Sequence, residues 1–252
     1  MQQKHLGTVL LDYINWRSRY VGVRPRKIEM EAAAKADRRW SAMSATIEAF
    51  LEKVRRGDDL TPYLSLAPHT RGYVLAARAP GATNEDRWSD KDLVLIRMGY
   101  HHFHMGIAIE APGHATRTDD VIFAAVSRDN FKVIATFNHD VFEQGSAGRM
   151  RLEALHEQII FRGRPKEAGV MKGPVMSSGH ALHVFAYAQR CWRLIDYVDP
   201  KFDDRAYIEK LYRHGKIELP SKPKLEWQFA HLDLIIYDRA TSVAFCIQQG
   251  WN

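Results

Sequence analysis

At 252 residues the chain is long enough for one large domain, or a compact domain with added elements, around a sizeable core. Its 46% hydrophobic and 26% charged residues exclude a low-complexity or collagen-like chain and fit a globular protein. The formal net charge of +6 favours a polyanionic partner without identifying it.

The two cysteines, Cys191 and Cys246, are too few and too far apart for a disulfide framework or a Cys-type zinc site, so a reducing compartment is expected. The residues after Met1 do not lead into the apolar stretch of a signal peptide, and no apolar run is long enough to span a bilayer. A cytoplasmic protein with no membrane partner is the expectation.

In chain order, Val9 to Ile14 reads as a short amphipathic element. Arg17, Arg19, Arg24, Arg26 and Lys27 follow, interleaved with Trp16, Tyr20 and the helix-breaking Pro25, and read as a solvated arm. Residues 37–56 are expected to form one helix. Asp37 caps it, Trp40, Met43, Ile47, Phe50, Leu51 and Val54 make one apolar stripe, and Arg55-Arg56-Gly57 ends it. Residues 58–72, with Pro62 and Pro68, and 78–88, with Pro80-Gly81, read as loops. Ser89 opens a helix that runs to Met98 and stops at Gly99.

The central stretch alternates. Phe103, Met105, Ile107 and Ile109 fall on one face of a strand over residues 100–109, with His102 and His104 on the other. Ala111-Pro112-Gly113 turns the chain. Val121–Val126 and Phe131–Phe137 are strand-like runs joined through Arg128-Asp129-Asn130 as an antiparallel pair. Residues from His139 to about 161 read as a helix, and 163–173 as a basic, flexible stretch.

Ser177 or Ser178 is placed at the start of a helix to Val198, whose apolar residues are Leu182, Phe185, Ala186, Cys191, Leu194 and Ile195. Asp203 caps another through Tyr212, ended by Gly215. Pro220 and Pro223 mark a linker, and Phe229–Tyr237 with Ser242–Ile247 forms a closing hairpin. The expected class is α+β: a small antiparallel-rich sheet packed on helices, with helices added before it and a helical region plus hairpin after it. Three regions follow, residues 1–87, 88–162 and 163–252.

The chemistry concentrates in His101-His102-Phe103-His104, Arg117 and His139. A strand projects residues two apart to the same side, so His102 and His104 emerge together, and His139 at the end of the third strand is placed to reach the same surface. Histidine both gives and takes protons near neutral pH. RNA cleavage without a metal needs a group to take the 2′ proton, a group to protonate the leaving 5′ oxygen, and a fixed cation on the phosphorane. Histidines with an arginine meet those needs. Arg149 and Arg151, on the following helix, are candidates to grip flanking phosphates.

The same residues also suit a metal-dependent hydrolase. His102 and His104 would chelate Zn²⁺ or Mn²⁺ with His139 or Asp140, and Glu110, Asp119 or Asp120 would be recruited, although no His-Glu-x-x-His is present. The third reading is a non-catalytic interaction protein whose histidines only pack.

Three other motifs carry less. Ser178-Gly179-His180, with His183 three residues on, lacks a Gly-x-Ser-x-Gly elbow. Lys166 to Lys172 lacks the order of a phosphate-binding loop. Asp233 and Asp238, near strand ends, read as structural.

The succession of His101-His102-Phe103-His104-Met105, Arg117-Thr118-Asp119-Asp120, an apolar strand and a second strand running into His139 resembles the core of the YafO-type mRNA interferases, toxins related to the RelE group. The resemblance covers roughly residues 88–160. It implies a compact sheet packed on helices and a metal-independent endoribonuclease without cofactor. The implied partners are RNA, as mRNA on the ribosome, and an antitoxin or regulatory protein, with no DNA, in a toxin–antitoxin or antiviral setting. By the resemblance His102, His104, Arg117 and His139 are catalytic and His101 is a further substrate contact. The toxins are much shorter, and residues 1–87 and those beyond about 165 have no counterpart in them.

Overall fold

The computed structural model describes residues 5–64, 92–106, 108–111, 113–143, 145–165, 173–176 and 178–252. The expected loops beyond residue 64, the Ser89 cap, Ile107, Pro112, Lys166–Lys172 and Ser177 lie outside them. The helices are α1 (Leu6–Arg17), α2 (Ala32–Lys35), α3 (Arg38–Ala42), α4 (Ser44–Arg56), α5 (Asp92–Met98), α6 (Ala147–Phe161), α7 (Leu182–Val198) and α8 (Arg205–Gly215). The strands are β1 (Lys27–Met30), β2 (Tyr100–His104), β3 (Ile109–Glu110), β4 (His114–Ala115), β5 (Asp120–Val126), β6 (Asn130–Asn138), β7 (Leu225–Ala230), β8 (Asp233–Asp238) and β9 (Val243–Gln248). The class is α+β, as the pattern predicts.

Two compact units divide the chain: residues 19–182, and residues 5–18 with 183–251. This differs from the division at 88 and 163. Ile47, Phe50 and Leu51 share one core with Phe103, Ile122 and Phe131, so a boundary near residue 88 would cut through continuous packing.

The larger unit is built on a four-stranded sheet in the order β1-β6-β5-β2. β2 and β6 each pair antiparallel with β5, as the alternation predicts. β1 was not anticipated; it runs parallel to β6, with Lys27 opposite Asn130. The basic stretch before it is no solvated arm, because Arg19, Tyr20, Val21 and Arg26 are all buried. Arg26 donates from Nε to the Ser127 carbonyl and from Nη1 to the Gly22 carbonyl, 2.8 Å each, which pins the segment leading into β1 against the β5–β6 turn. Burial, with the neighbouring Arg24 charge, pushes its pKa down to about 10.

The expected helix over 37–56 is two helices meeting at Met43, with Asp37 capping the first through Arg39 N–H at 2.9 Å. Its apolar stripe behaves as predicted: Ile47, Phe50, Leu51 and Val54 are buried. Gly57 ends α4 at φ 79°, and a Cβ there would also strike the Arg24–Pro25 backbone, so glycine is demanded twice.

Both faces of the sheet are covered. Phe103, Met105, Ile122, Ala124, Phe131 and Val133 pack with the α4 stripe. Tyr100, Val121, Phe123 and Phe137 pack with Val94 of α5, Leu152 of α6 and Val141 and Phe142. A bulge in β6 decides this division. Phe123 lies opposite Ala135 and Ala124 opposite Val133, leaving Ile134 as the extra residue. Phe131 and Phe137, six residues apart, therefore lie on opposite faces.

β2 stops at His104, and Ile109 is 52% exposed in a small β3–β4 hairpin instead of anchoring a long strand. The helix expected from His139 is a 3₁₀ turn (His139–Phe142) followed by α6, capped by Ser146.

The smaller unit has a three-stranded antiparallel sheet, β7-β8-β9, in place of the expected hairpin. In α7 the buried stripe is Val184, Tyr187, Ala188, Cys191, Ile195 and Val198, which corrects Leu182 and Ala186 to exposed positions. Asp204, not Asp203, caps α8.

Asp238 is structural, as read from the sequence. It is buried and accepts from Tyr212 Oη (2.6 Å), Thr241 Oγ1 (2.7 Å), Lys224 N–H (2.7 Å) and Ala240 N–H (2.9 Å). Burial alone would raise its pKa; the four donors outweigh it and hold the carboxyl down to about 2.

A depressed carboxyl stabilises the fold above its unfolded pKa and loses that contribution as the pH falls toward 2. Asp238→Asn is therefore expected to cost about 2 kcal/mol at neutral pH. The gap from the unsubstituted chain should hold constant from pH 7 to about pH 5 and narrow only below that, as thermal unfolding is repeated toward pH 2. Among the described residues no helix is long and apolar enough to cross a membrane.

Candidate active site

Local chemistry places the predicted residues at one end of the larger unit's sheet, where β2 ends, β5 begins and β6 runs into the 3₁₀ turn. The connection carrying Arg117 is tied down on both sides. Thr118 Oγ1 accepts from Met105 N–H at 3.1 Å and donates to the Asp120 carbonyl at 2.6 Å. Thr116 N–H donates to the Ala108 carbonyl at 2.9 Å. Gly106 allows the approach, since a Cβ there would fall on the Thr116 carbonyl.

Three of the four expected catalytic residues meet. The His104 and His139 rings stack with centroids 5.3 Å apart and planes 26° from parallel. Arg117 Nη1 lies 2.5 Å from His104 Nε2. His139 Nδ1 lies 2.8 Å from the Asp119 carbonyl. These partners fix the protonation pattern. A guanidinium can only donate, so His104 Nε2 is an acceptor and its ring is the neutral, Nδ1-protonated tautomer. A carbonyl can only accept, so His139 carries its proton on Nδ1, and its Nε2 has no protein partner among the described residues.

Exposure separates the roles further. His104 is 1% exposed and His102 8%, whereas His139 is half-buried and Arg117 exposed. His102 packs between Phe123 and Phe142 (5.9 and 4.9 Å) and 6.0 Å from His104. It lies behind the site as part of the core. His101 is on the opposite face against Phe103, 6.1 Å away, and cannot contact a substrate held at Arg117.

The two helix arginines are also engaged elsewhere. Arg149 is buried and paired with Glu153 at 2.9 Å. Arg151 donates to Asp37 (2.8 Å) and to the Thr136 carbonyl (3.2 Å) and lies over the Phe137 ring. Neither is arranged to grip a flanking phosphate.

Arg117 differs from these. Its hydrogen-bond partner is a neutral imidazole, and among the described residues no carboxylate pairs with it. Burial lowers its pKa, with no acidic neighbour to offset the effect. Such a guanidinium has the chemistry to pair with an anion, because no described carboxylate neutralises its charge.

A neighbouring chain of charges braces the site from behind. Arg151 and Arg39 both meet Asp37, and Arg39 Nε meets Asp120 at 3.2 Å. Sequence reading found Asp37 as a cap but not this second use. No local pattern announces it, because Arg39 and Asp120 come together only through the fold.

Among the described residues no three His, Cys, Asp or Glu side chains are arranged to hold a metal ion. Ser178 Oγ lies 3.0 Å from His180 Nδ1, but His180 precedes α7, so the helical spacing with His183 does not exist. Compared with protein-family models, curated proteins and solved structures, the chain matches none of them.

Proposed function

We propose that this chain is a metal-independent endoribonuclease in which Arg117 holds the scissile phosphate and His139 moves the proton. The observation that carries the reading is one cluster: Arg117, without an acidic partner among the described residues, is bonded to His104, and on His104 stacks His139, anchored through Nδ1 with no described partner on Nε2. In the reaction His139 Nε2 takes the proton of the 2′-hydroxyl. The 2′ oxygen bonds to the adjacent phosphorus, the P–O5′ bond breaks, and the leaving oxygen takes a proton from solvent. The products are a 2′,3′-cyclic phosphate and a 5′-hydroxyl. Arg117 is suited to two non-bridging oxygens as charge builds on them.

This assignment narrows the expectation from sequence. His102 is packing, and His104 serves Arg117 instead of the substrate. RNA is the substrate class because only it supplies the internal nucleophile, and the basic chain favours a polyanion. A message on the ribosome and a regulatory protein partner belong to the same proposal, in a cytoplasmic setting.

The test is incubation of the purified full chain with a mixed-sequence RNA in excess EDTA. Cleavage with cyclic-phosphate ends is expected. Activity abolished by EDTA and restored by Zn²⁺ or Mn²⁺ would favour the metal-dependent reading, and binding without cleavage the non-catalytic one.

A further inference from the structure

We infer that His104 is a positioning residue: a buried neutral imidazole whose Nε2 orients Arg117 as an oxyanion-binding fork for a phosphodiester. The inference rests on the proposed role of Arg117 and names what makes that role workable. An arginine on an irregular connection ordinarily samples many rotamers, and ordering it at the moment of binding costs affinity. Here one end of the guanidinium is tied to a ring that cannot itself move. His104 is in the last position of β2, 1% exposed, with its backbone paired opposite Val121 and its ring stacked on His139.

The choice of a neutral acceptor matters. A carboxylate at this position would hold Arg117 as firmly but would cancel the charge needed for the substrate. The imidazole accepts without cancelling. Tying Nη1 also leaves Nη2 and Nε with no protein partner among the described residues, so those donors remain for two phosphate oxygens. The same bond occupies His104 Nε2 in a ring 1% exposed, which is why His104 does not itself shuttle protons.

Two substitutions separate this role from the alternatives. In His104→Gln the amide oxygen can reach the place of Nε2 and accept from Arg117, but the side chain does not titrate. In His104→Leu the volume is kept and the acceptor is gone. Each is tested in the full chain with a 2′-O-methyl RNA oligonucleotide, which cannot be cleaved, by fluorescence anisotropy, and with cleavable RNA by steady-state kinetics. His104→Gln is expected to bind and cleave within a few-fold of the parent chain. His104→Leu should weaken oligonucleotide binding and raise KM, with kcat/KM down about 10–100-fold. Arg117→Ala should weaken binding likewise and cost more, about 10²–10³-fold in cleavage, and the double variant should lose no more than Arg117→Ala alone.

Equal loss in the Gln and Leu variants, both folded, would overturn the positioning role in favour of proton transfer by His104. Unchanged binding and cleavage in the Leu variant would overturn it as well.

A measurement on the unsubstituted chain guards against variants that fail to fold and does not depend on ribonuclease activity. With ¹⁵N-histidine labelling, side-chain NMR at neutral pH should report His104 as the Nδ1-protonated neutral tautomer, with Nε2 shifting when Arg117 becomes Ala. An Nε2-protonated or cationic His104 would refute the inference. The expected tautomer in a chain that neither binds nor cuts RNA would leave the Arg117–His104 device standing and remove the ribonuclease reading.

Discussion

Arg117→Ala is expected to reduce RNA cleavage by about 10²–10³-fold, the effect of removing one preorganised charge from a transition state. The fold should survive, because Arg117 is exposed and its one hydrogen-bond partner among the described residues is the edge of His104. The companion substitution is His139→Asn. Its amide NH₂ can stand where Nδ1–H stands and keep the bond to the Asp119 carbonyl, while nothing replaces Nε2. A further loss in the range of about 10²–10⁴-fold is expected for that change alone, the usual contribution of a positioned proton-transfer group.

Circular dichroism and thermal unfolding of both variants should be close to those of the parent. Because the two groups act on one transition state, the double variant should fall short of the product of the single losses. Full cleavage by either variant would remove the assignment, since Arg149 and Arg151 are held by Glu153 and Asp37 and His104 Nε2 is occupied by Arg117.

The largest effect on stability is expected at Phe103. Its side chain is fully buried, with ring centroids 5.3 Å from both Phe50 and Phe131, so it joins α4, β2 and β6 at one point. Phe103→Ala should destabilise the larger unit by about 3–5 kcal/mol, combining lost transfer energy with the cavity left among rings that cannot close over it. That is a large part of the roughly 5–15 kcal/mol of an ordinary domain. Urea unfolding at constant slope is the measurement. Val23→Ala, at a side chain 67% exposed, should stay within about 0.5 kcal/mol and serves as the control. Phe103 stands between His102 and His104, so its loss should also lower activity at temperatures well below global unfolding.

What was legible in the sequence followed from short-range physics. The α4 stripe, the β5–β6 hairpin, the Gly57 and Gly99 stops and the two-residue spacing of His102 and His104 are set by neighbours a few positions apart, and these emerged as expected. What failed depended on distant partners. β1 has only four residues, so its Lys27-Ile28-Glu29-Met30 alternation is too short to stand out, and it pairs because β6 offers an edge. The bulge at Ile134 reversed the parity of β6, which no alternating pattern reveals, because Phe131, Val133, Ala135 and Phe137 read as one face. The histidine side of β2 was expected to meet solvent, and α5 and α6 cover it instead. For the site, proximity of His104, Arg117 and His139 was foreseen, but the division of labour was not. It is set by which nitrogen faces a guanidinium and which faces a carbonyl, and that is a matter of ångströms.

The parallel alignment of β1 with β6 has a consequence for the protein as it is made. Lys27 leaves the ribosome long before Asn130, its eventual neighbour, so the first strand must wait, unzipped, while about two fifths of the chain is translated. His139 follows directly on β6, so a nascent polypeptide lacks the last component of the proposed site until nearly the same moment that the waiting strand finds its place. Docking of the sheet and completion of the proposed site thus fall together, just past the middle of synthesis. On the proposed function, a producing cell meets an inert intermediate through the first half of synthesis.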